Sequence, residues 1–337
     1  MSVMRPHRTW STRQRAFSLF AASWLVLIVT GCATTGTGTS PIEPTPEPEL
    51  RSVSFHIVDV GQGDGTILTT NTGQTMVIDT GTRKGGRLLL KELEQLKIQD
   101  IDLLVLSHPH NDHIGGTRDL LSRHHVEKAW ISGFEASSQV HRKTLAALKE
   151  AEVDVSIVRL SDRMTLTPGI VITVLAPEDP LISRSRSNAN ANSIVLWIQH
   201  GEVDFLLTGD AEAETEKRVL NVLKGLGPDD VEVLKIAHHG SKYASSAAFL
   251  ARVKPEIAVI SCGRNNRYRH PSPETLERLK DVGAKVYRTD LHGTIRIHSN
   301  GKTLKVETSI GPQTKFCPPP RTGILGTHSS VAWRNAA

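Results

Sequence analysis

A run of metal-binding side chains lies in the first half of the sequence: His108-Pro109-His110-Asn111-Asp112-His113. Imidazole and carboxylate groups are the ligands that proteins use to bind divalent zinc or manganese. The run follows the apolar segment Leu103–Ser107, a predicted buried strand, and open sheets gather their sites at strand ends. Pro109 disfavours a helix at His108, so we expect a loop that can turn alternate side chains toward different metals. The run therefore predicts a metal site, against the alternative of a solvated loop rich in histidine.

The pattern His-x-His-x-Asp-His followed by Gly115-Gly116 resembles the signature of the metallo-β-lactamase superfamily. Three other segments resemble that superfamily's motifs in the same order: Val77-Ile78-Asp79-Thr80-Gly81, Thr208-Gly209-Asp210 and Ala237-His238-His239-Gly240. The resemblance implies that Asp79 orients the ligand loop from behind. It also implies that Asp210 bridges two metals, although an aspartate at this position, considered by itself, could be a helix N-cap. The strand is expected to end near Ala237, which favours His238 over His239 as the last ligand. The implied ligands are His108, His110, Asp112, His113, Asp210 and His238.

A narrower resemblance, to the metallo-β-lactamase domain of ComEC-like competence proteins, covers roughly residues 52–308. It rests on Asp59–Gly65, Asn192-Ser193, Thr208–Asp210, His238–Ser241 and Tyr268-Arg269-His270-Pro271. It implies cleavage of a phosphodiester, preferably in DNA, so DNA or another phosphodiester is the expected partner. The residues expected behind the ligands or against the substrate are Asp79, Gln62, Asp64, Asn192, Ser193, His239, Ser241, Lys242 and Tyr268.

One position departs from the general superfamily pattern. Lactamases have a third histidine before the bridging aspartate, and Asn192 stands at that position here, as in the ComEC-like branch. His200 falls in a predicted hairpin turn, where we expect it to be solvated. One metal would then have only His108, His110 and Asp210, and the other Asp112, His113, Asp210 and His238. The first site is therefore expected to be weaker or empty.

The implied cofactor is divalent zinc or manganese, with two ions possible. Such ions can deprotonate a water and stabilise charge at an attacked phosphorus or carbonyl carbon, so the expected nucleophile is a metal-bound hydroxide. Asp112 or Asp210 would orient it, and His270 would donate to the leaving oxygen, hold a phosphate or remain a solvated loop histidine. Arg264, Arg267, Tyr268 and Arg269 near His270, with Lys242, could hold a phosphate chain or form a solvated basic loop.

Two other functions use the same residues. The first is hydrolysis of a lactam, lactone or thioester on the same metals. The second is a non-catalytic surface protein with structural metals, which a near-complete ligand set argues against, because structural zinc sites are usually closed and four-coordinate.

The elements around these residues predict a layered α/β fold. Runs with strand character, such as Val53–Val60, Thr75–Asp79 and Val231–Ala237, alternate with helical patterns such as Arg87–Lys97 and a helix from Pro273 with Ser272 as its N-cap. Strand–helix alternation in both halves favours helices packed on sheets. Together with the superfamily resemblance this predicts an αββα sandwich over residues 52–308 and a disordered tail over residues 309–337.

The N-terminus is predicted to be an export signal over residues 1–31. Four arginines precede the apolar run Ala16–Thr30, and Val29-Thr30-Gly31-Cys32 resembles the lipobox of bacterial lipoproteins. We expect Cys32 to carry a lipid, residues 32–51 to be a flexible tether, and the protein to be exported to the outer membrane or the extracellular face of the cell membrane. No apolar run reaches about twenty residues, so the channel of the ComEC-like proteins is not expected here.

The net charge and the cysteines give little information about function. The net charge is +5, and subtracting the four arginines of residues 1–31 leaves about +1, so the overall charge does not predict nucleic-acid binding. Aromatic residues make up 4% of the chain, which argues against a long base-stacking platform. Cys262 and Cys317 could pair or stay free, and no protein partner can be inferred.

Overall fold

The computed structural model describes residues 52–225, 230–311 and 314–316. The predicted signal, the tether with Cys32, and the chain beyond residue 316 with Cys317 lie outside these residues. Cys262 is buried, and its thiol forms no disulfide with another described residue. Within the described ranges, no helix has the length and apolar character needed to cross a membrane.

Strands alternate with helices along the described chain. The strands are β1 (Val53–Ile57), β2 (Gly65–Thr70), β3 (Thr75–Thr80), β4 (Asp100–Leu106), β5 (His125–Ile131), β6 (Asp154–Ile157), β7 (Arg163–Thr167), β8 (Ile170–Ala176), β9 (Val195–His200), β10 (Val203–Leu207), β11 (Val233–Lys235), β12 (Ile257–Ile260), β13 (Lys285–Arg288), β14 (Ile295–Ser299), β15 (Leu304–Thr308) and β16 (Thr314–Phe316). The helices are α1 (Arg83–Gln95), α2 (Asn111–Ile114), α3 (Thr117–Leu121), α4 (Gln139–Glu150), α5 (Asn188–Ala191), α6 (Ala213–Leu223), α7 (Ala247–Val253), α8 (Pro273–Asp281) and α9 (Thr289–His292), with a 3₁₀ turn at Ala237–Gly240.

The strands form two sheets. The first has the order β16-β15-β14-β1-β2-β3-β4-β5-β6, and the second has the order β13-β12-β11-β10-β9-β8-β7. Strands β3 to β6 run parallel, and so do β10 to β13. The carboxyl ends of β3 and β4, and those of β10 and β11, therefore share one edge of their sheet.

Apolar side chains of the two sheets meet in a common core, where the rings of Phe55 and Phe205 stack with centroids 4.0 Å apart. Leu89 and Leu93 of α1 pack with Leu104 on the outer side of the first sheet. Val219 of α6 and Phe249 of α7 pack with the buried side chains of β11 and β12 on the second sheet. The order helix, sheet, sheet, helix confirms the predicted αββα sandwich.

Several local predictions hold and others do not. Ser272 caps α8, with its Oγ accepting from the backbone N–H of Thr275, as predicted. The domain extends past the predicted boundary at residue 308, because β16 pairs with β15 inside the segment predicted to be disordered. His200 is not solvated: it ends β9, is buried, and its Nδ1 lies 2.9 Å from Ser299 Oγ.

Candidate metal centre

The candidate metal ligands follow the carboxyl ends of strands in both sheets. His108 to His113 follow β4, Asp210 follows β10, and the histidine pair follows β11. Gly209 has a φ of 49° and its Cα faces Ser107 and Ser193, where an added Cβ would lie 3.1 Å from their Cβ atoms. A glycine there lets the chain turn Asp210 tightly toward the β4 loop.

His113 is held from behind by Asp79. Its Nδ1 donates to Asp79 Oδ2 at 2.7 Å, and both Ser107 N and Ser107 Oγ donate to the same carboxylate. In the neutral imidazole this bond keeps the proton on Nδ1, so Nε2 can bind a metal. The position of Asp79 is the one that the motif comparison implied.

Four buried ligand atoms meet at the floor of the site. The ligand atoms of Asp64, His113, Asp210 and His239 all lie within 4.8 Å of one another. Asp64 Oδ1, His113 Nε2, Asp210 Oδ1 and His239 Nε2 are buried without a hydrogen-bond partner. Burying a polar atom without a hydrogen bond costs free energy, and a divalent cation would give all four of these atoms a partner. The donor set of imidazole nitrogens and carboxylate oxygens therefore fits zinc or manganese.

The two consecutive histidines both face Asp210. His239 Nε2 lies 3.7 Å from Asp210 Oδ2 and 3.5 Å from Asp112 Oδ2, and its Nδ1 donates to the carbonyl of Ser261. His238 Nε2 also lies 3.7 Å from Asp210 Oδ2, and its Nδ1 lies 3.0 Å from Glu212 Oε1. Each imidazole is thus oriented through Nδ1 with Nε2 toward the Asp210 carboxylate, so both histidines face the site.

His108 and His110 form the other side of the cluster. His108 Nε2 lies 3.0 Å from His110 Nδ1 and 3.8 Å from Asp210 Oδ2. The six residues predicted as ligands therefore lie in one group, and His239 and Asp64 lie there too.

Two imidazoles of the cluster have raised pKa values and therefore hold their protons tightly. Burial opposes a charge on His239, but Asp210 and Asp64 more than offset this and raise its pKa to about 10. Burial acts the same way on His113, and Asp210 and Asp79 raise its pKa well above its usual range. Metal binding must displace these protons, so metal affinity should rise with pH.

A buried ion pair supports the cluster from below. Lys235 Nζ donates to Asp64 Oδ2 at 2.7 Å and also to the carbonyl of Ile236. Asp64 Oδ1 lies 3.4 Å from His239 Nδ1. Sequence reasoning missed Lys235, although a lone lysine inside an apolar strand indicates a paired buried charge.

A cleft of about 340 Å³ opens above the ligands. Its lining includes Gln62, Asn111, Asn190, Tyr268 and His270 in addition to the ligand residues. Gln62 Oε1 accepts from the N–H of Gly263, and the ring of the half-exposed Tyr268 stacks on His270 with centroids 5.7 Å apart. Burial, with His238 and His239 nearby, lowers the pKa of His270 to about 4, so its imidazole is neutral at pH 7.

The remaining predicted residues have different positions. Ser193 Oγ accepts from the N–H of Asp210, which puts it behind that ligand. Asn192 does not reach the cleft: it is buried, and its amide bonds Ile182 and Asn188 backbone groups. Ser241 Oγ accepts from the N–H of Tyr243, and Lys242 is exposed with its Nζ 5.3 Å from the Tyr243 ring centroid.

Two residues near His238 were missed. Glu212 accepts from Asn190 Nδ2 and from Arg186 Nη2, and it orients His238. Asn190, two residues before Asn192, lies in the cleft lining with Nδ2 3.4 Å from His238 Nδ1. A short helix, α5, turns Asn190 toward the cleft and Asn192 away, which strand-like alternation could not predict.

Comparison with known proteins agrees with the predicted superfamily. Residues 58–180 match the family model described as Metallo-beta-lactamase superfamily. ComE operon protein 3 of Bacillus subtilis (strain 168) is 33% identical over 257 residues, which is 71% of this chain and 32% of that protein. Recombination protein 2 of Haemophilus influenzae is 29% identical over 265 residues, 77% of this chain and 30% of that protein. The chain spans about a third of the length of these relatives.

A solved structure aligns with part of the chain at low identity. CmlA, a diiron beta-hydroxylase from Streptomyces venezuelae, aligns with a TM-score of 0.48 and 14% identity, covering 76% of this chain and 55% of that one. Residues 58–180 therefore match the metallo-β-lactamase superfamily, and most of the chain is similar to parts of ComE operon protein 3 and Recombination protein 2.

Proposed function

We propose that this metallo-β-lactamase superfamily domain hydrolyses phosphodiester bonds, preferably in DNA, with divalent metal held at the cluster. The observation that carries the proposal is the set of four buried, unpartnered ligand atoms at the floor of an open cleft. A site with ligands below and solvent above keeps a position open for water and substrate, as catalytic metal sites do.

The residues divide into two ligand groups that share Asp210. Asp64, Asp112, His113 and His239 would hold one ion, and His108, His110 and His238 would hold the other. His238 then takes the place of the third histidine that the sequence lacked before Asp210. A divalent ion in such a site acts as a Lewis acid and lowers the pKa of water. Asp79, Ser261 and Glu212 set the imidazole tautomers that make this binding possible.

The phosphodiester proposal rests on the cleft and on the relatives. The lining beyond the ligands is polar and includes three amides, those of Gln62, Asn111 and Asn190, that can donate to phosphate oxygens. ComE operon protein 3, Recombination protein 2 and Competence protein ComA are similar to this chain over 71% or more of its length. Similarity to competence proteins favours DNA over a lactam as the substrate, but similarity of fold alone does not determine a substrate.

A panel of substrates tests the proposal. Purified protein loaded with manganese or zinc should cleave linear DNA and bis(p-nitrophenyl) phosphate, and chelator should abolish both activities. If the metal-loaded protein leaves these substrates intact and opens a chromogenic cephalosporin or a lactone, the function is that of the alternative hydrolase. If it cleaves none of them, the non-catalytic alternative stands.

His270 is expected to hold the phosphate and not to donate a proton. Because its imidazole is neutral at pH 7, it offers a hydrogen bond but no ready acid. We expect His270→Ala to raise KM for a diester about tenfold while kcat changes less. A fall in kcat of about 10²–10⁴-fold at constant KM would instead identify a general acid. Metal content should stay at the wild-type value in either case.

The lipid anchor on Cys32 is a separate proposal, supported by the lipobox-like string before it. Cys32→Ser should move the protein from the membrane fraction to the soluble fraction of cells that process lipoproteins. Retention of the variant with the membranes would contradict the anchor.

A further inference from the structure

A second groove adjoins the metal cleft and is lined by basic side chains. Arg83 of α1, Arg118 of α3 and Lys143 of α4 line this basic groove, which has a volume of about 250 Å³. All three residues are exposed. Asp119 is the one carboxylate in the lining, and its Oδ2 lies 3.5 Å from Arg83 Nε. The groove therefore has an excess of positive charge, although the chain from residue 32 onward is close to neutral.

Asn111 joins the two grooves. It lies within the ligand loop, between His110 and Asp112, is exposed, and lines both the metal cleft and the basic groove. Because the two grooves share Asn111, a polymeric substrate bound in the metal cleft can extend past Asn111 into the basic groove. A small substrate bound at the metals would not extend into the basic groove.

We propose that the basic groove is a binding site for the backbone of a polynucleotide whose scissile phosphate lies at the metal cleft. This inference rests on the proposed phosphodiesterase function and narrows its substrate to a polymer. Arg118 and Lys143 contact phosphates one or more nucleotides away from the cut, and such contacts position a strand without reading its sequence. Phosphate contacts of this kind release counterions, so they make binding depend on salt.

The test compares a long and a small substrate. The variant Arg118→Glu/Lys143→Glu is matched by Lys91→Glu/Lys149→Glu, which makes the same charge change at exposed positions of α1 and α4 outside the groove lining. For labelled single-stranded DNA of about 20 nucleotides, we expect the groove variant to raise KM at least about tenfold and the control variant to leave it near wild type. Hydrolysis of bis(p-nitrophenyl) phosphate should be the same in all three proteins.

Salt dependence gives an independent measurement. The milder variant Arg118→Gln/Lys143→Gln, which serves if the reversed charges impair folding, should flatten the slope of log Kd against log salt by about 0.7 per lost contact to single strands. An unchanged KM and slope would overturn the proposal, and so would equal losses on the small and long substrates.

The proposed function and the proposed role of the basic groove can be disproved separately. If wild-type protein cleaves neither substrate, the phosphodiesterase proposal fails. Fluorescence anisotropy of the labelled strand then decides the groove: weaker binding by the groove variant alone supports it, and equal binding by both variants overturns it.

Discussion

Asp210→Ala should lose bound metal and nearly all hydrolytic activity together. The Asp210 carboxylate lies 3.2 Å from His113 Nε2 and within 3.8 Å of three other imidazoles, so both ligand groups depend on it. Mutation of a group that only supports a ligand typically lowers metal affinity or activity about 10–100-fold, and loss of a shared ligand should lower them more than that. Metal content by elemental analysis and the rate on bis(p-nitrophenyl) phosphate measure the two losses.

Asp204→Asn is the matched control for this experiment. Asp204 is a buried carboxylate on β10, near the end of the strand away from Asp210, and it accepts from Trp197 Nε1. It should keep wild-type metal content and rate. If Asp210→Ala kept its metals and lost only activity, Asp210 would act on the substrate. If it kept both, the proposed metal centre would be wrong.

Much of the fold was predictable because periodicity and motif order act over short distances. The apolar run Leu103–Ser107 predicted β4, and Pro109 predicted the loop after it. Strand and helix alternation predicted the layers. The short elements α2, α5 and α9 were not predictable from periodicity, since four residues carry too little pattern.

The position of Asn192 shows where motif alignment stops being informative. The alignment placed an asparagine at the position of a lactamase histidine, but it could not show that α5 turns that side chain into the loop at Ile182. Side-chain direction in a short helix depends on its neighbours in three dimensions. The same limit applies to Glu212, whose role follows only from its distance to His238.

The preference for His238 over His239 rested on a strand that ends near Ala237, and β11 ends earlier, at Lys235. In a strand, consecutive side chains point to opposite faces, so only one of His238 and His239 could face the site. Both residues instead have positive φ values, 49° and 55°, which bend the backbone so that both rings reach Asp210. Such left-handed conformations are uncommon outside glycine and tend to mark functional sites.

His239→Ala and His238→Ala should therefore remove different metals. His239 is fully buried beside Asp112 and His113, whereas His238 is partly exposed at the cleft. We expect His239→Ala to lose the ion held with His113 and more than about 10²-fold in activity, a larger effect than loss of a supporting group. His238→Ala should keep that ion and lose the one held with His108 and His110.

Metal-to-protein ratios, measured after dialysis against a weak chelator, separate the two variants. His125→Ala is the control, because His125 is an exposed imidazole at the start of β5, the end of the strand away from the ligand loop. It should bind as much metal as wild type. If His238→Ala abolished all binding while His239→Ala kept a full complement, His238 would be the main ligand. The buried Nε2 of His239, which lacks any hydrogen-bond partner, makes the opposite order the expected one.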